Sequence, residues 1–221
     1  MLRIQREGFK RAPWWLRLSM PFVIWRMKTA CRSVYLTFDD GPTAGVTEKI
    51  LEILDEYGAK ATFFCLGKQA EKHPELLRSI YLRGHTIGNH SFSHLNGWSV
   101  SAKAYTADID RADQVLTSLL PERTNLFRPP YGRITPSQWY ALRINYRICM
   151  WDITAQDFLT NLDSTDVLEN IINHATLGSI VLLHDSELAA PRVLNALPQV
   201  IETLIKRGFR LKPMFRSIHS K

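Results

Sequence analysis

The chain of 221 residues contains no run of the roughly 20 consecutive apolar residues that a membrane-spanning helix requires. It also lacks an uninterrupted apolar segment followed by small residues at a cleavage site, so no secretory signal is legible. The expected location is therefore cytoplasmic or peripheral to the inner membrane. Cysteine is scarce, and Cys31, Cys65 and Cys149 are an odd number without metal-ligand spacing. Neither a disulfide framework nor a cysteine zinc cluster is expected, and all three read as buried free thiols. Internal repeats and low-complexity segments are missing too, which excludes solenoid and fibrous architectures.

Net charge is absent from most of the chain. Residues 1–32 hold eight basic residues, Arg3, Arg6, Lys10, Arg11, Arg17, Arg26, Lys28 and Arg32, against Glu7, and so carry the entire formal charge of +7. The other 189 residues hold twenty basic and twenty acidic residues. A nucleic-acid enzyme spreads basic side chains around its groove, so a neutral body argues against nucleic acid as a partner. The arm also holds Trp14, Trp15 and Trp25, half of the six tryptophans, and a short apolar run from Met20 to Trp25. Two readings of it stay open: packing against the domain, or peripheral contact with an anionic membrane.

What the sequence has in quantity is apolar residues, 45% of the total, enough for one large α/β domain. The expected organisation is a basic, tryptophan-containing arm over residues 1–32 and a single domain over 33–221. Beyond Ser33, short apolar runs alternate with amphipathic stretches, the pattern of βα units closing into a sheet or barrel. Strands are predicted at Val34–Phe38, Ala61–Cys65, His85–Gly88, Leu126–Arg128, Tyr146–Trp151, Ser179–Leu183 and, more weakly, Phe209–Leu211. Helices are predicted near Val46–Tyr57, Pro74–Arg83, Ser101–Leu120, Pro136–Ile144, Thr165–His174 and Pro191–Arg207, several opened by Ser, Thr or Pro.

On this map the chemically able residues fall at strand ends. Asp39 and Asp40 follow the first strand, His90 and His94 the third, Arg128 ends the fourth, Asp157 follows the fifth and His184 ends the sixth. Carboxyl ends of strands are where parallel barrels build active sites. The run Thr37-Phe38-Asp39-Asp40-Gly41-Pro42 offers two adjacent carboxylates, which need a bend at Gly41 to face one site. An ordinary Asp-Gly-Pro turn with solvated acids is the alternative. His90 and His94, four residues apart, reach one ion from a helical turn or a curled loop. With Asp40 they make three ligands and leave positions open, as a catalytic metal needs, and zinc is the first expectation.

These motifs, with Arg128-Pro129-Pro130-Tyr131-Gly132, Asp157 and Val181-Leu182-Leu183-His184-Asp185, stand in the order of the five motifs of the NodB-homology polysaccharide deacetylases, carbohydrate esterase family four, which the chain resembles from about Val34 to Arg210. The resemblance implies a distorted (β/α)7 barrel, one divalent ion (zinc, with cobalt, nickel or manganese as alternatives) and N-deacetylation of a peptidoglycan- or chitin-like glycan by a monomer. It further implies Asp39 as general base, Asp40, His90 and His94 as metal ligands, and His184 as general acid. Arg128 is implied to pair with the base through both arms of its fork and keep its pKa low, and Asp157 to orient the acid. Pro129, Tyr131, Phe158 and Leu183 are implied to line the substrate pocket, with the Tyr131 backbone N–H as oxyanion donor. Asp185 reads as structural.

The sequence departs from the pattern at Thr154, where aspartate is common, at Phe158, where a tryptophan usually lines the acetyl pocket, and at Val181, where leucine is usual. A roomier or less polar wall is the expected result. Trp98 is read either as a sugar-stacking residue at the cleft mouth or as a buried one. His73, His85, His174 and His219 carry no functional spacing, so surface or helix-end places are expected. Two other functions fit the same motifs less well: hydrolysis of a small non-sugar amide or ester, and an inactive glycan- or membrane-binding module.

Overall fold

The computed structural model describes residues 9–215; Arg3, Arg6 and His219 lie outside them. Among the described residues the strands are β1 (Ser33–Asp39), β2 (Thr62–Cys65), β3 (Thr86–Asn89), β4 (Leu126–Phe127), β5 (Arg147–Ile148), β6 (Ile153–Thr154), β7 (Ile180–His184) and β8 (Arg210–Leu211). The helices are α1 (Trp14–Ser19), α2 (Thr47–Glu56), α3 (Gly67–Lys72), α4 (Pro74–Leu82), α5 (Ala102–Leu119), α6 (Pro136–Leu142), α7 (Ser164–Ile172) and α8 (Ala190–Lys206). Seven strands run β5-β4-β3-β2-β1-β7-β6, all neighbours parallel, as a distorted barrel with helices outside.

The alternation of side chains on each strand divides the interior from the helix layer. Leu36 and Phe38 of β1, with Val181 and Leu183 of β7, pack among residues of α2, α4, α7 and α8. Tyr35, Thr37 and Asp39 take the opposite face, in register with Ile180, Leu182 and His184. Leu183 therefore belongs to the outer core and not to a substrate pocket, and the side chain of β7 that reaches the cleft is Leu182. Val181, one residue earlier, also points outward, so its departure from the family pattern does not alter the cleft.

The predicted fifth strand, Tyr146–Trp151, is shorter than expected, and a further, unpredicted strand follows it. β5 ends at Ile148 and a separate β6 begins at Ile153, so Asp157 follows β6. Between them Asp152, fully buried, turns its carboxylate to the arm. The predicted seventh strand forms as β8 but pairs only with Ser33 and Val34 at the start of β1, outside the barrel path. Two short helices, α1 and α3, are additional. α1 buries none of its residues and so shows no apolar periodicity, while α3 opens on a glycine.

The described part of the arm fills the seam between β5 and β6. Ile24 bridges to Cys149, Arg11 to Ile153 and Arg26 to Ser179. Asp152 accepts from Arg26 Nη1 at 2.5 Å, Arg11 Nε at 3.3 Å and Ser179 Oγ at 2.8 Å, with Arg17 Nη1 at 3.6 Å. Trp25 packs on the core beside Val23 and Met150, whereas Trp14 and Trp15 are exposed. Cys65 and Cys149 are buried thiols as expected, but Cys31 is exposed because it lies where the arm leaves the barrel.

Candidate active site

The site begins with β1, which delivers Asp39 into the barrel and ends there because Asp40 turns to φ +84°. Gly41 lies so close to Asp185 that an added Cβ would sit 1.9 Å from its Oδ2. Asp185 accepts the Gly41 N–H at 2.9 Å and the Thr47 hydroxyl at 2.7 Å, pinning this turn to α2. Burial pushes the Asp185 carboxyl up to about 7. Both acids of the pair therefore face one site by way of a backbone bend, as their adjacency requires.

His90 and His94 stand on a curled loop after β3. Asp108 of α5 accepts the N–H groups of Phe92 and Ser93 at 2.9 and 3.0 Å, and Ser91 Oγ accepts that of His94 at 3.0 Å. His90 Nδ1 lies 2.8 Å from the Arg128 carbonyl, which can only accept, so Nδ1 carries the proton and Nε2 presents its lone pair. Burial holds His90 down at about 3, consistent with a neutral ring.

Asp40, His90 and His94 bring one ligand atom each within 4.8 Å of one another. Asp40 Oδ1 lies 3.3 Å from His94 Nε2 and 3.6 Å from His90 Nε2. Ligand atoms about 2.0–2.1 Å from a tetrahedral ion stand ~3.3 Å apart, so the spacing fits. The same Oδ1 is buried without a hydrogen-bond partner, an orphaned acceptor that a cation would satisfy. The donor set, two imidazoles and one carboxylate, suits zinc and neighbouring divalent ions.

Arg128 is fully buried in the barrel. Its Nη1 donates to Asp39 Oδ1 at 2.7 Å and to Thr37 Oγ1 at 2.7 Å, while Nη2 donates to the Met150 carbonyl at 3.0 Å. Against expectation, the fork is shared between carboxylate and backbone, because β1 and the segment after β5 flank it on two sides. Asp39 Oδ2 is left outside that pair, 3.8 Å from His90 Nε2. The expected low pKa does not follow either: burial pushes Asp39 above the ordinary carboxylate value, with Arg128 opposing.

His184 is in register with Asp39 across β1 and β7. Its Nδ1 is 2.8 Å from Asp157 Oδ1, and its backbone N–H donates to Asp157 Oδ2 at 2.7 Å. Burial lowers the imidazole, but Asp157 outweighs it and lifts the group to about 9. Arg192 Nε in turn donates to the Asp157 carbonyl at 2.6 Å, a support from α8 that no spacing in the sequence announces.

Tyr131 stacks edge-on to His94 with centroids 4.4 Å apart, and Phe158 meets His184 at 5.3 Å, so the two aromatics flank the ligands and the acid. Pro129 lies between Arg128 and the turn carrying Tyr131, where it caps that turn, and is absent from the apolar lining that Tyr131 and Phe158 share. Trp98 is exposed and shares that lining, which gives it the cleft-mouth place. His73 caps α4 and His174 bonds the Asn170 carbonyl at the end of α7. His85 is the exception: buried under the barrel against Phe63, it accepts the Ala61 N–H at 3.1 Å.

A profile of the polysaccharide deacetylase family matches residues 26–147. A peptidoglycan-N-acetylglucosamine deacetylase of Bacillus cereus is 34% identical over 189 residues, covering 83% of this chain and 68% of that protein. A chitooligosaccharide deacetylase of Azorhizobium caulinodans is 35% identical, covering 82% of this chain and 92% of its own. A solved peptidoglycan N-acetylglucosamine deacetylase superposes with a TM-score of 0.84 at 30% identity, over 92% of this chain and 95% of the other. Sequence, fold and the gathering of five separated motifs around one cleft agree: the chain belongs to the polysaccharide deacetylase family and is a hydrolase of carbon–nitrogen amide bonds.

Proposed function

We propose that this chain removes acetyl groups from N-acetylated amino-sugar polymers of the peptidoglycan or chitin type. Asp39 is the general base, His184 the general acid, and Asp40, His90 and His94 hold one divalent ion, zinc before cobalt, nickel or manganese. One observation carries the reading: Asp39 and His184 are register partners on adjacent strands, each held by its own buried partner, Arg128 and Asp157, beside a three-ligand cluster. The named activities of the Bacillus and Azorhizobium relatives support the substrate class.

When bound, the ion supplies Lewis acidity toward the acyl oxygen and toward water. Asp39 Oδ2, outside the Arg128 pair, takes the proton of the attacking water, and burial makes it a stronger base than a solvated carboxylate. The Tyr131 N–H stabilises the oxyanion. His184, kept charged by Asp157, delivers a proton to the departing sugar nitrogen, so the amine leaves neutral. Each role is filled from one chain, so a monomer suffices. Mass spectrometry of acetate released from peptidoglycan fragments, chitooligosaccharides and an aryl acetate, with and without zinc or cobalt, tests the assignment. Release from the aryl acetate alone overturns the glycan reading in favour of a small-ester hydrolase, and no release overturns the enzyme.

The arm supports a further partner, an anionic membrane surface at which the protein sits peripherally. Trp14, Trp15, Leu18 and Phe22 are exposed together, while Arg11, Arg17 and Arg26 are engaged by Asp152. Attachment thus rests on aromatic and aliphatic insertion more than on charge. No helix among the described residues is long and apolar enough to cross a membrane. Co-sedimentation with anionic vesicles, lost in a Trp14→Ser/Trp15→Ser variant, tests this; absence of binding by the parent chain overturns it.

A further inference from the structure

The cleft does not stop where an acetyl methyl would end. Tyr131 and Phe158 also line a cavity of about 370 Å³, which Trp151 and, from the arm, Phe9, Leu16 and Trp25 line with them. An acetyl methyl fills about 30 Å³, the share of one water-sized group, so the space far exceeds one methyl and holds the carbons of a hexanoyl chain with room for its bends. The two departures noted in the sequence both fall here. Thr154 and Phe158 line the cavity in place of an acid and an indole, removing a charge and an N–H from its wall. Gly132, at φ +63°, permits the Trp151 ring to close in, since an added Cβ would meet it at 2.8 Å.

The chemistry of this lining selects its occupant. A sugar ring brings hydroxyls that need partners, and each one buried against carbon and left unpaired weakens binding. The polar groups of the lining are Thr154, Gln156, Arg133, the Tyr131 hydroxyl and the indole N–H groups of Trp25, Trp98 and Trp151. The Trp25 N–H is spent on the Met20 carbonyl at 3.1 Å, Thr154 Oγ1 accepts the Gln156 N–H at 3.2 Å, and Arg133 stands over Trp98 at 4.9 Å, so aromatic and aliphatic carbon makes up most of the wall. Saturated carbon has no such requirement. Because Tyr131 and Phe158 touch His94 and His184 on one side and the cavity on the other, whatever fills it is continuous with the reacting carbonyl.

We propose that the cavity is an acyl-chain site and that the enzyme hydrolyses N-acyl amino sugars bearing straight chains of about six carbons as well as acetyl. The inference rests on the deacetylase reading above. Water adds its oxygen to the acyl carbon and gives one proton to Asp39. The C–N bond breaks as the nitrogen keeps its hydrogen and gains a second from His184, and a short fatty acid leaves, losing water's other proton to become a carboxylate. Each buried methylene improves kcat/KM by about fourfold until the chain reaches the arm.

The test uses the full chain, loaded with zinc, on chitotriose carrying N-acetyl, N-butanoyl, N-hexanoyl or N-octanoyl groups, with free amine as readout. kcat/KM is expected to rise from acetyl to hexanoyl. Leu16→Arg should lower the hexanoyl-to-acetyl ratio by tenfold or more, and Phe9→Ala, a milder change that leaves the arm's ion pairs intact, should lower it in the same direction. Hydrolysis of acetyl alone, or a ratio that neither variant moves, overturns the acyl-chain site and leaves the deacetylase standing. Failure on every substrate overturns the deacetylase reading and the inference with it.

Discussion

Asp157 grips His184 twice, through Nδ1 at 2.8 Å and through the backbone N–H at 2.7 Å, so one carboxylate fixes both the ring and the strand end that carries it. With Nδ1 committed, only Nε2 is left to exchange a proton with substrate. The acid must be charged to act, and in the free enzyme it stays so until pH passes about 9. In Asp157→Asn the main raising influence is removed, so the alkaline limb of kcat/KM should move to lower pH. At neutral pH turnover should fall about 10- to 100-fold. A pH–rate profile with an unmoved alkaline limb rules out His184 as the acid.

The base and the ligand are neighbours in sequence but should separate cleanly in experiment. Asp39→Asn keeps an acceptor for Arg128 and leaves the cluster of Asp40, His90 and His94 intact. Turnover should drop by roughly a hundredfold or more, with metal content near that of the parent. Asp40→Ala removes the shared ligand and should abolish metal binding outright. Metal analysis beside kinetics checks both; near-normal activity in Asp39→Asn excludes it as base.

Asp152 is the anchor of the arm. Asp152→Ala would leave Arg11, Arg17 and Arg26 facing one another at the seam. Their side chains keep 39%, 30% and 25% exposure and can turn to water. The expected loss is therefore about 2 kcal/mol, below the ~3–5 of a fully buried broken pair. Urea unfolding reads it directly, and an unchanged midpoint shows that the arm does not help hold the barrel.

His85 predicts how stability responds to acid. Its pKa is held down at about 4 by burial, whereas the unfolded ring takes its proton near 6.5. Stability from this group is complete above about pH 6.5, declines as pH falls toward 4, and is constant below. The window of 2.5 units corresponds to about 3 kcal/mol at most. His85→Gln should flatten denaturation midpoints measured between those pH values; an equal slope in parent and variant assigns the acid sensitivity elsewhere.

Much of this was legible in the sequence because it is written in periodicity and spacing. The apolar runs of β1 and β7 and the pair His90 and His94 depend on neighbours a few residues away. What escaped depends on partners far along the chain. Leu182 and Leu183 are both apolar, and only the pairing of β7 with β1 decides which one faces inward. Asp152 reads as an unremarkable acid until arginines more than a hundred positions earlier fold onto it. Arg192 supports Asp157 from 35 residues away with no motif to mark it.

Five residues other than glycine at or beside the cleft, Asp40, Ser91, His94, Tyr131 and Gln156, hold φ between 58° and 84°. L-residues resist this backbone by about 1–2 kcal/mol each, less for an aspartate. A typical domain is stable by only ~5–15 kcal/mol, so the five together set aside a sizeable fraction of that margin. Stability and function thus pull apart here: at Asp40, His94 and Tyr131 glycine would relax the chain and remove a side chain from the cleft. A directed-evolution screen scored on heat resistance alone would converge on such replacements, raising the melting temperature while erasing the catalyst.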